Sequence, residues 1–269
     1  MNHDVLMERL SRRIADGRVL GLIRRYLVAG VLADGVTVER HEGTPQGGPL
    51  SPLLANALLD EVDKELEKRG HAFVRYADDL NVYTGSRRAA EDAMVTLKQL
   101  FARLRLQVNE SKSAVARAWE RKFLGYSFWV GVGRAIRYRV APAALAEMKA
   151  RVRVITRRTG GRSMESVAKE LRSYLTGWKL YFQLAETPRV FRDLDEWLRR
   201  RLRAVQLKQW KRGTTVYREL RVRNVPERVA LAAAAHARRW WAMAAHGALH
   251  TALPNSHIDR LGVPRLASR

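Results

Sequence analysis

The run Phe73-Val74-Arg75-Tyr76-Ala77-Asp78-Asp79-Leu80-Asn81-Val82-Tyr83 constrains this chain more than any other stretch. Val74, Tyr76, Val82 and Tyr83 favour strand, and the adjacent carboxylates Asp78 and Asp79 favour a turn. The pattern predicts a tight hairpin with two oxygen-rich side chains at an exposed bend. Hard divalent cations take oxygen ligands of this kind. A pair of such cations can clamp the attacking and leaving oxygens of an in-line phosphoryl transfer. Taken alone, Asp-Asp is also an ordinary polar turn, so its meaning depends on the rest of the chain.

Charge narrows the partners. Among 269 residues, 50 Lys and Arg stand against 27 Asp and Glu, a net charge of +23. That imbalance predicts a polyanionic partner. The basic residues are interleaved with Trp and Tyr, which suits a folded surface that tracks phosphates and stacks on bases. A hydrophobic content of 46% supports one large or two small domains. The absence of cysteine excludes disulfides and Cys-based zinc sites, and the seven His show no ligand spacing. No apolar stretch is long enough to span a membrane, and no signal-peptide pattern opens the sequence, so the expectation is a cytoplasmic protein without a membrane partner.

Periodicity predicts one helix over residues 5–27, with Leu6, Leu10, Ile14 and Leu20 on one stripe. A short strand, Val36-Thr37-Val38, follows an Asp34-Gly35 turn. A Gly- and Pro-rich loop runs from Gly43 to Pro52. Ser51 is expected to cap the next helix, with Pro52 at its first position and Leu54, Ala57, Leu58, Val62 and Leu66 inward. Asp60 and Asp63 on that helix read as surface residues. Ser86 caps a helix whose buried stripe is Ala90, Ala93, Met94, Leu97, Phe101 and Leu104. A polar turn at 109–113 leads to strand-like pieces at 114–118 and 123–130. From Pro142 the pattern is helical: a basic helix to about Arg158, a break at Gly160-Gly161, and a helix capped by Ser163 with Val167, Leu171, Tyr174, Leu175, Trp178, Tyr181 and Phe182 on one face. Another starts at Thr187-Pro188, with Phe191, Leu194, Leu198, Leu202 and Val205 inward and Arg192, Arg199, Arg200 and Arg203 outward. Residues 252–269 read as irregular. The fold class is α+β, with helices behind a mainly antiparallel sheet, followed by an all-helical region.

Several motifs in a fixed order resemble the bacterial group II intron reverse transcriptases of the maturase type. They are Asn2-His3-Asp4, Thr44-Pro45-Gln46-Gly47-Gly48-Pro49-Leu50-Ser51-Pro52, Tyr76-Ala77-Asp78-Asp79, Asn109-Glu110-Ser111-Lys112-Ser113 and Phe123-Leu124-Gly125-Tyr126. The stretch from Tyr174 to Phe182 and Leu207-Lys208-Gln209-Trp210-Lys211-Arg212 resembles the maturase-specific region. The resemblance covers nearly the whole chain. It implies an incomplete polymerase palm over 1–140, a helical thumb over 141–205 and a small helical maturase region over 206–269.

It also implies roles. Asp78, with Asp79 in support, would bind two Mg2+ ions that activate a primer 3′-hydroxyl and neutralise the incoming deoxynucleoside triphosphate. Pro45, Gln46, Gly47 and Gly48, with Tyr76 and Ala77, would line that nucleotide, the glycines allowing close approach. Lys112 would sit near the triphosphate as a cation or proton donor; it is equally well an ordinary solvated turn lysine. Phe123, Leu124, Gly125 and Tyr126 would hold the primer end. Lys179, Arg199, Arg200, Arg203, Lys208, Lys211 and Arg212 would contact nucleic acid, with intron RNA, an RNA template and a DNA primer or target as partners. In the family a further catalytic Asp precedes the Asn-His-Asp sequence. The expectation is therefore an N-terminally truncated, endonuclease-lacking protein: a truncated reading frame, an internal start, or half of a split protein whose upstream fragment would supply the missing Asp. The alternative is a non-catalytic fragment that binds intron RNA.

Overall fold

Asn2 starts the first helix, its Oδ1 accepting from the amides of Asp4 and Val5, both at 3.1 Å. The computed structural model describes residues 1–29, 31–33, 36–38, 42–43, 48–157 and 161–267. They form two compact units, residues 1–118 and 119–269.

In the first unit, the single helix expected over 5–27 is two: α1 (His3–Ser11) and α2 (Gly17–Val28). Asp16 is the cause. Its carboxylate accepts from the Arg18 amide at 2.7 Å, a cap that competes with helix continuation. Strands β1 (Val31–Ala33) and β2 (Val36–Val38) pair antiparallel; the expected Asp34-Gly35 turn lies outside the described residues. Helix α3 (Ser51–Lys68) has Pro in its first turn, where a missing N–H costs nothing. Its capping position is Leu50, and no side-chain bond closes it, so Ser51 is not the cap that the sequence suggested. Strands β3 (Ala72–Tyr76) and β4 (Asp79–Tyr83) form the expected hairpin. Helix α4 (Arg87–Arg103) begins at Ser86, whose Oγ accepts from the Ala89 amide at 3.2 Å. Leu6, Leu10 and Leu27 from α1 and α2 close a core with Leu54, Leu58, Val62 and Leu66 from α3 and Leu97 and Leu100 from α4. Phe73, Leu80 and Val82 lay the hairpin's inner face on it. The turn at 109–113 is present, but residues 114–117 are not strand.

In the second unit, β5 (Lys122–Phe123), β6 (Tyr126–Val130) and β7 (Ile136–Val140) form an antiparallel sheet. Strand β7 was not anticipated. Helices α5 (Pro142–Ile155), α6 (Met164–Tyr181) and α7 (Pro188–Trp210) pack around Met148, Val152, Leu171, Leu175, Trp178, Leu194, Leu198 and Leu202. Ser163 caps α6, as expected. Helices α8 (Gly213–Val222), α9 (Glu227–Ala235), α10 (Trp240–Met243) and α11 (Gly247–Ala252) gather around Val216, Leu220, Ala230 and Leu249. The terminal stretch is not irregular throughout: α12 (Asn255–Arg260) buries Ile258. The fold is α+β, and its strands make three small antiparallel sheets among the described residues instead of one. No helix among these residues is long and apolar enough to cross a membrane.

Candidate active site and nucleic-acid interface

The register Tyr76↔Asp79 leaves Ala77 and Asp78 as a two-residue turn, so Asp79 is the first residue of β4 and not part of the bend. Such turns match strand twist by adopting positive φ. Ala77 has φ 54, at a cost of about 1 kcal/mol for a residue with a Cβ. Strand alternation sends Val74, Tyr76 and Asp79 to the exposed face and Phe73, Arg75, Leu80 and Val82 to the covered one. Asp78 at the tip is exposed as well. The two carboxylates offer an oxygen-only donor set. Among the described residues, no group of three His, Cys, Asp or Glu is placed to hold a metal ion. Mg2+ is commonly held by one or two carboxylates together with substrate phosphates. Asp78 and Asp79 fit that shared arrangement, not an all-protein cage.

Arg75 lies beneath the turn. Its Nε donates to Asp63 Oδ1 at 2.8 Å and its Nη2 to Asp63 Oδ2 at 2.5 Å. Its Nη1 donates to Asn56 Oδ1 at 2.8 Å and to the Ala77 carbonyl at 3.0 Å. Hydrogen bonding to Asp63 holds the guanidinium charged beyond its ordinary range. Asp63 is thus no plain surface residue. Asp60 is on the surface, as expected, and pairs there with Arg13 and, at 2.9 Å, with Lys64. Sequence reasoning missed Arg75; the one signal was a charge at a core-facing strand position.

Pro45, Gln46 and Gly47 lie outside the described residues. Gly48 is described, and a Cβ there would strike the Tyr26 hydroxyl, so its lack of a side chain has a packing reason within the protein. Lys112 sits in an exposed turn whose backbone is tied to Asn109: its amide donates to the Asn109 carbonyl at 3.1 Å and to Oδ1 at 3.2 Å.

In the second unit, Phe123 and Tyr126 pair across a two-residue turn in which Leu124 (φ 50) and Gly125 (φ 74) are both left-handed. The turn is fastened to the end of α6. Tyr181 donates to the Leu124 carbonyl at 3.0 Å, Tyr126 donates to the Tyr181 carbonyl, and the Tyr126 ring packs on Phe182 at 5.1 Å. Leu124, Gly125, Glu147, Tyr174, Trp178 and Tyr181 line a cleft of about 240 Å³ beside it.

The basic residues separate into three kinds. Arg199 and Arg203 were expected on the outer face of α7, yet each is only 4% exposed. Arg199 donates to Asp259 at 2.9 Å and to Asp195 at 3.3 Å. Arg203 donates to the Leu253 carbonyl and to Asn255 Oδ1, both at 2.9 Å. These two arginines are internal struts: the segment around α12 covers the face that helical periodicity alone leaves open. Lys179 is likewise engaged, donating to the Arg265 carbonyl at 2.9 Å. A second kind stacks on tryptophan. Arg200 lies 4.2 Å from the Trp241 ring centre and Lys208 4.1 Å from that of Trp240. Lys211 and Arg212, past the end of α7, are exposed.

Residues 1–128 match the family model described as reverse transcriptase (RNA-dependent DNA polymerase), and residues 145–223 match the group II intron, maturase-specific domain. The chain is 41% identical over 69 residues to Protein YkfC of Escherichia coli, a match covering 26% of this chain and 18% of that protein. It is 42% identical over 64 residues to the group II intron-encoded protein LtrA of Lactococcus lactis, covering 24% of this chain and 11% of LtrA. An uncharacterized 91 kDa protein in the cob intron of Schizosaccharomyces pombe matches at 43% over 65 residues, covering 24% of this chain and 8% of that protein. These matches span less than a fifth of each relative's length. With a reverse transcriptase model on one side and a maturase-specific model on the other, in the order its motifs had suggested, the chain belongs to the group II intron reverse transcriptase/maturase family.

Proposed function

We propose that this chain serves RNA-directed DNA synthesis and splicing of a group II intron, with Asp78 and Asp79 as the metal-binding carboxylates. The observation that carries the reading is the hairpin tip where Asp78 in the turn and Asp79 at the start of β4 are both exposed, inside a stretch matched by the reverse transcriptase model. Mg2+ bound there with a deoxynucleoside triphosphate supplies electrostatic stabilisation to an in-line displacement. The chain's own groups then position and bind. Asp78 and Asp79 fix where the triphosphate end of the substrate lies. Lys112 offers a cation. The β5–β6 turn, stiffened by Tyr181 and Phe182, holds the primer end. We assign residues 1–140 to a palm, 141–205 to a thumb and 206–269 to the maturase region. Lys208, Lys211 and Arg212 are the contacts to intron RNA, in a protein of the cytoplasm, while Arg200, which donates to the Trp241 carbonyl at 2.9 and 3.1 Å, holds Trp241 in place.

A second reading rests on the net charge of +23 and on the cations stacked against Trp240 and Trp241: a module that binds intron RNA without polymerising. Primer extension on an RNA template with Mg2+ separates the two. Under the first reading the chain extends the primer and Asp78→Asn lowers the rate by about a hundredfold or more, an effect of the size seen when transition-state charge loses one stabilising group. Tight, salt-sensitive RNA binding with no extension by either protein supports the second.

A further inference from the structure

We propose that Asn56, Asp63 and Arg75 form a positioning clamp that sets the orientation of the metal-binding turn through the Ala77 carbonyl. The proposal rests on the assignment of Asp78 as a metal-binding carboxylate and deepens it. Arg75 stands on the covered face of β3, where its strand neighbours on that face are Phe73, Leu80 and Val82. A guanidinium is a costly choice there unless its donors are satisfied. Five hydrogen bonds satisfy it: three to Asp63, one to Asn56 and one to the Ala77 carbonyl.

The geometry makes this a clamp and not merely an ion pair. Both oxygens of Asp63 take the guanidinium fork, which fixes its plane. Asn56 and Asp63 are seven residues apart on α3, so the same face of one rigid helix supplies both anchors. The remaining bond reaches the carbonyl of the left-handed residue Ala77. That oxygen shares a rigid peptide plane with the Asp78 amide. Holding it fixes the direction in which the Asp78 side chain leaves the turn, and it offsets the strain at Ala77. A lysine is a point donor without the fork and cannot hold Asp63, Asn56 and Ala77 together. Groups that orient a metal ligand from behind typically change metal affinity by about 10–100-fold when removed.

The test uses the full chain and Mn2+ with a deoxynucleoside triphosphate, titrated by electron paramagnetic resonance, with melting temperature and amide exchange measured in parallel. Asp78→Asn is the reference for the metal site. Arg75→Lys keeps the charge and breaks the fork. The double variant Asp63→Leu/Arg75→Leu removes both charges together, a change that folds tolerate far better than leaving one charge unpaired. Expected are loss of Mn2+ binding in Asp78→Asn and an affinity about tenfold weaker in the other two at near wild-type melting temperature. Exchange should be faster at the 76–80 amides but not along α3. Wild-type affinity and exchange in both clamp variants, with Asp78→Asn still losing the ion, would overturn the clamp and leave the metal assignment standing. Unchanged Mn2+ binding in Asp78→Asn would overturn both.

Discussion

Gly125 shows how closely a single residue ties sequence to site. Its φ of +74 lies where side chains are strained, and a Cβ there would sit 3.1 Å from Cζ of Phe182. Phe182 cannot give way, since it is buried against Trp178 at 4.8 Å and Tyr126 at 5.1 Å between ring centres. Gly125→Ala should therefore destabilise the second unit by about 2–4 kcal/mol, the sum of left-handed strain and overpacking. Gly177, helical and with open space around its Cα, is the control: Gly177→Ala should gain about 0.5–1 kcal/mol. Urea unfolding followed by tryptophan fluorescence measures both, and equal effects from the two would sink the packing account. At this scale the sequence spoke unevenly. Residues 123–130 read as one strand-like piece, yet Leu124 and Gly125 break it as a turn. Ala77 announces nothing, because its left-handed conformation is imposed by the strands on either side and by Arg75, not by its own preference.

At the scale of elements, the end of the chain is a strap. Both oxygens of Asp195 in α7 accept backbone amides, from Leu266 and Ala267, each at 2.9 Å. Arg172 in α6 donates to the carbonyls of Leu261 and Gly262, at 2.8 and 3.0 Å. Val263 and Leu266 are buried in the core beneath. Asp259 joins the strap to α7 by accepting from Arg199 and from Arg265. Hydrogen bonding to Arg265, and then to Arg199, holds its carboxyl below the ordinary value of 3.8, against the opposing effect of burial. A carboxyl depressed in the fold contributes stability that is present above its unfolded pKa and is lost as pH falls through the folded one. Asp259→Asn should therefore melt lower than wild type at pH 6, and the gap should close as pH drops below about 4. Circular dichroism melts across that range check it; a gap constant with pH would remove Asp259 titration from the account. This strap is why helical periodicity misplaced Arg199 and Arg203. A period of 3.6 residues tells which side chains share a face, and it grouped those arginines correctly. It carries no information about a distant segment that returns to cover the face. The core stripes of α3, α4 and α6 were legible because apolar side chains state their own destination. A buried arginine does not.

For the molecule as a whole, the charge of +23 sets a field, but only accessible cations release counterions when nucleic acid binds. Under the proposed function, position therefore decides which basic residues meet RNA. Lys211 and Arg212 are exposed beyond α7, while Arg203 donates inward to Leu253 and Asn255. Replacing Lys211 and Arg212 together by Ala should leave the melting temperature unchanged. It should also reduce the slope of log K against log salt by about one for every phosphate that the pair neutralises. Arg203→Ala should do the reverse. It removes charged hydrogen bonds from a buried carbonyl and costs about 2–3 kcal/mol of stability. The salt slope should stay as it is under conditions where the protein remains folded, because an arginine that already faces the core holds no counterions to release. Fluorescence anisotropy of a labelled intron RNA, titrated at several KCl concentrations for the wild type and both variants, reads the affinity and its slope side by side. A reduced slope for Arg203→Ala at full folding would mean that this arginine turns outward to meet RNA, and the division into internal struts and surface cations would fail.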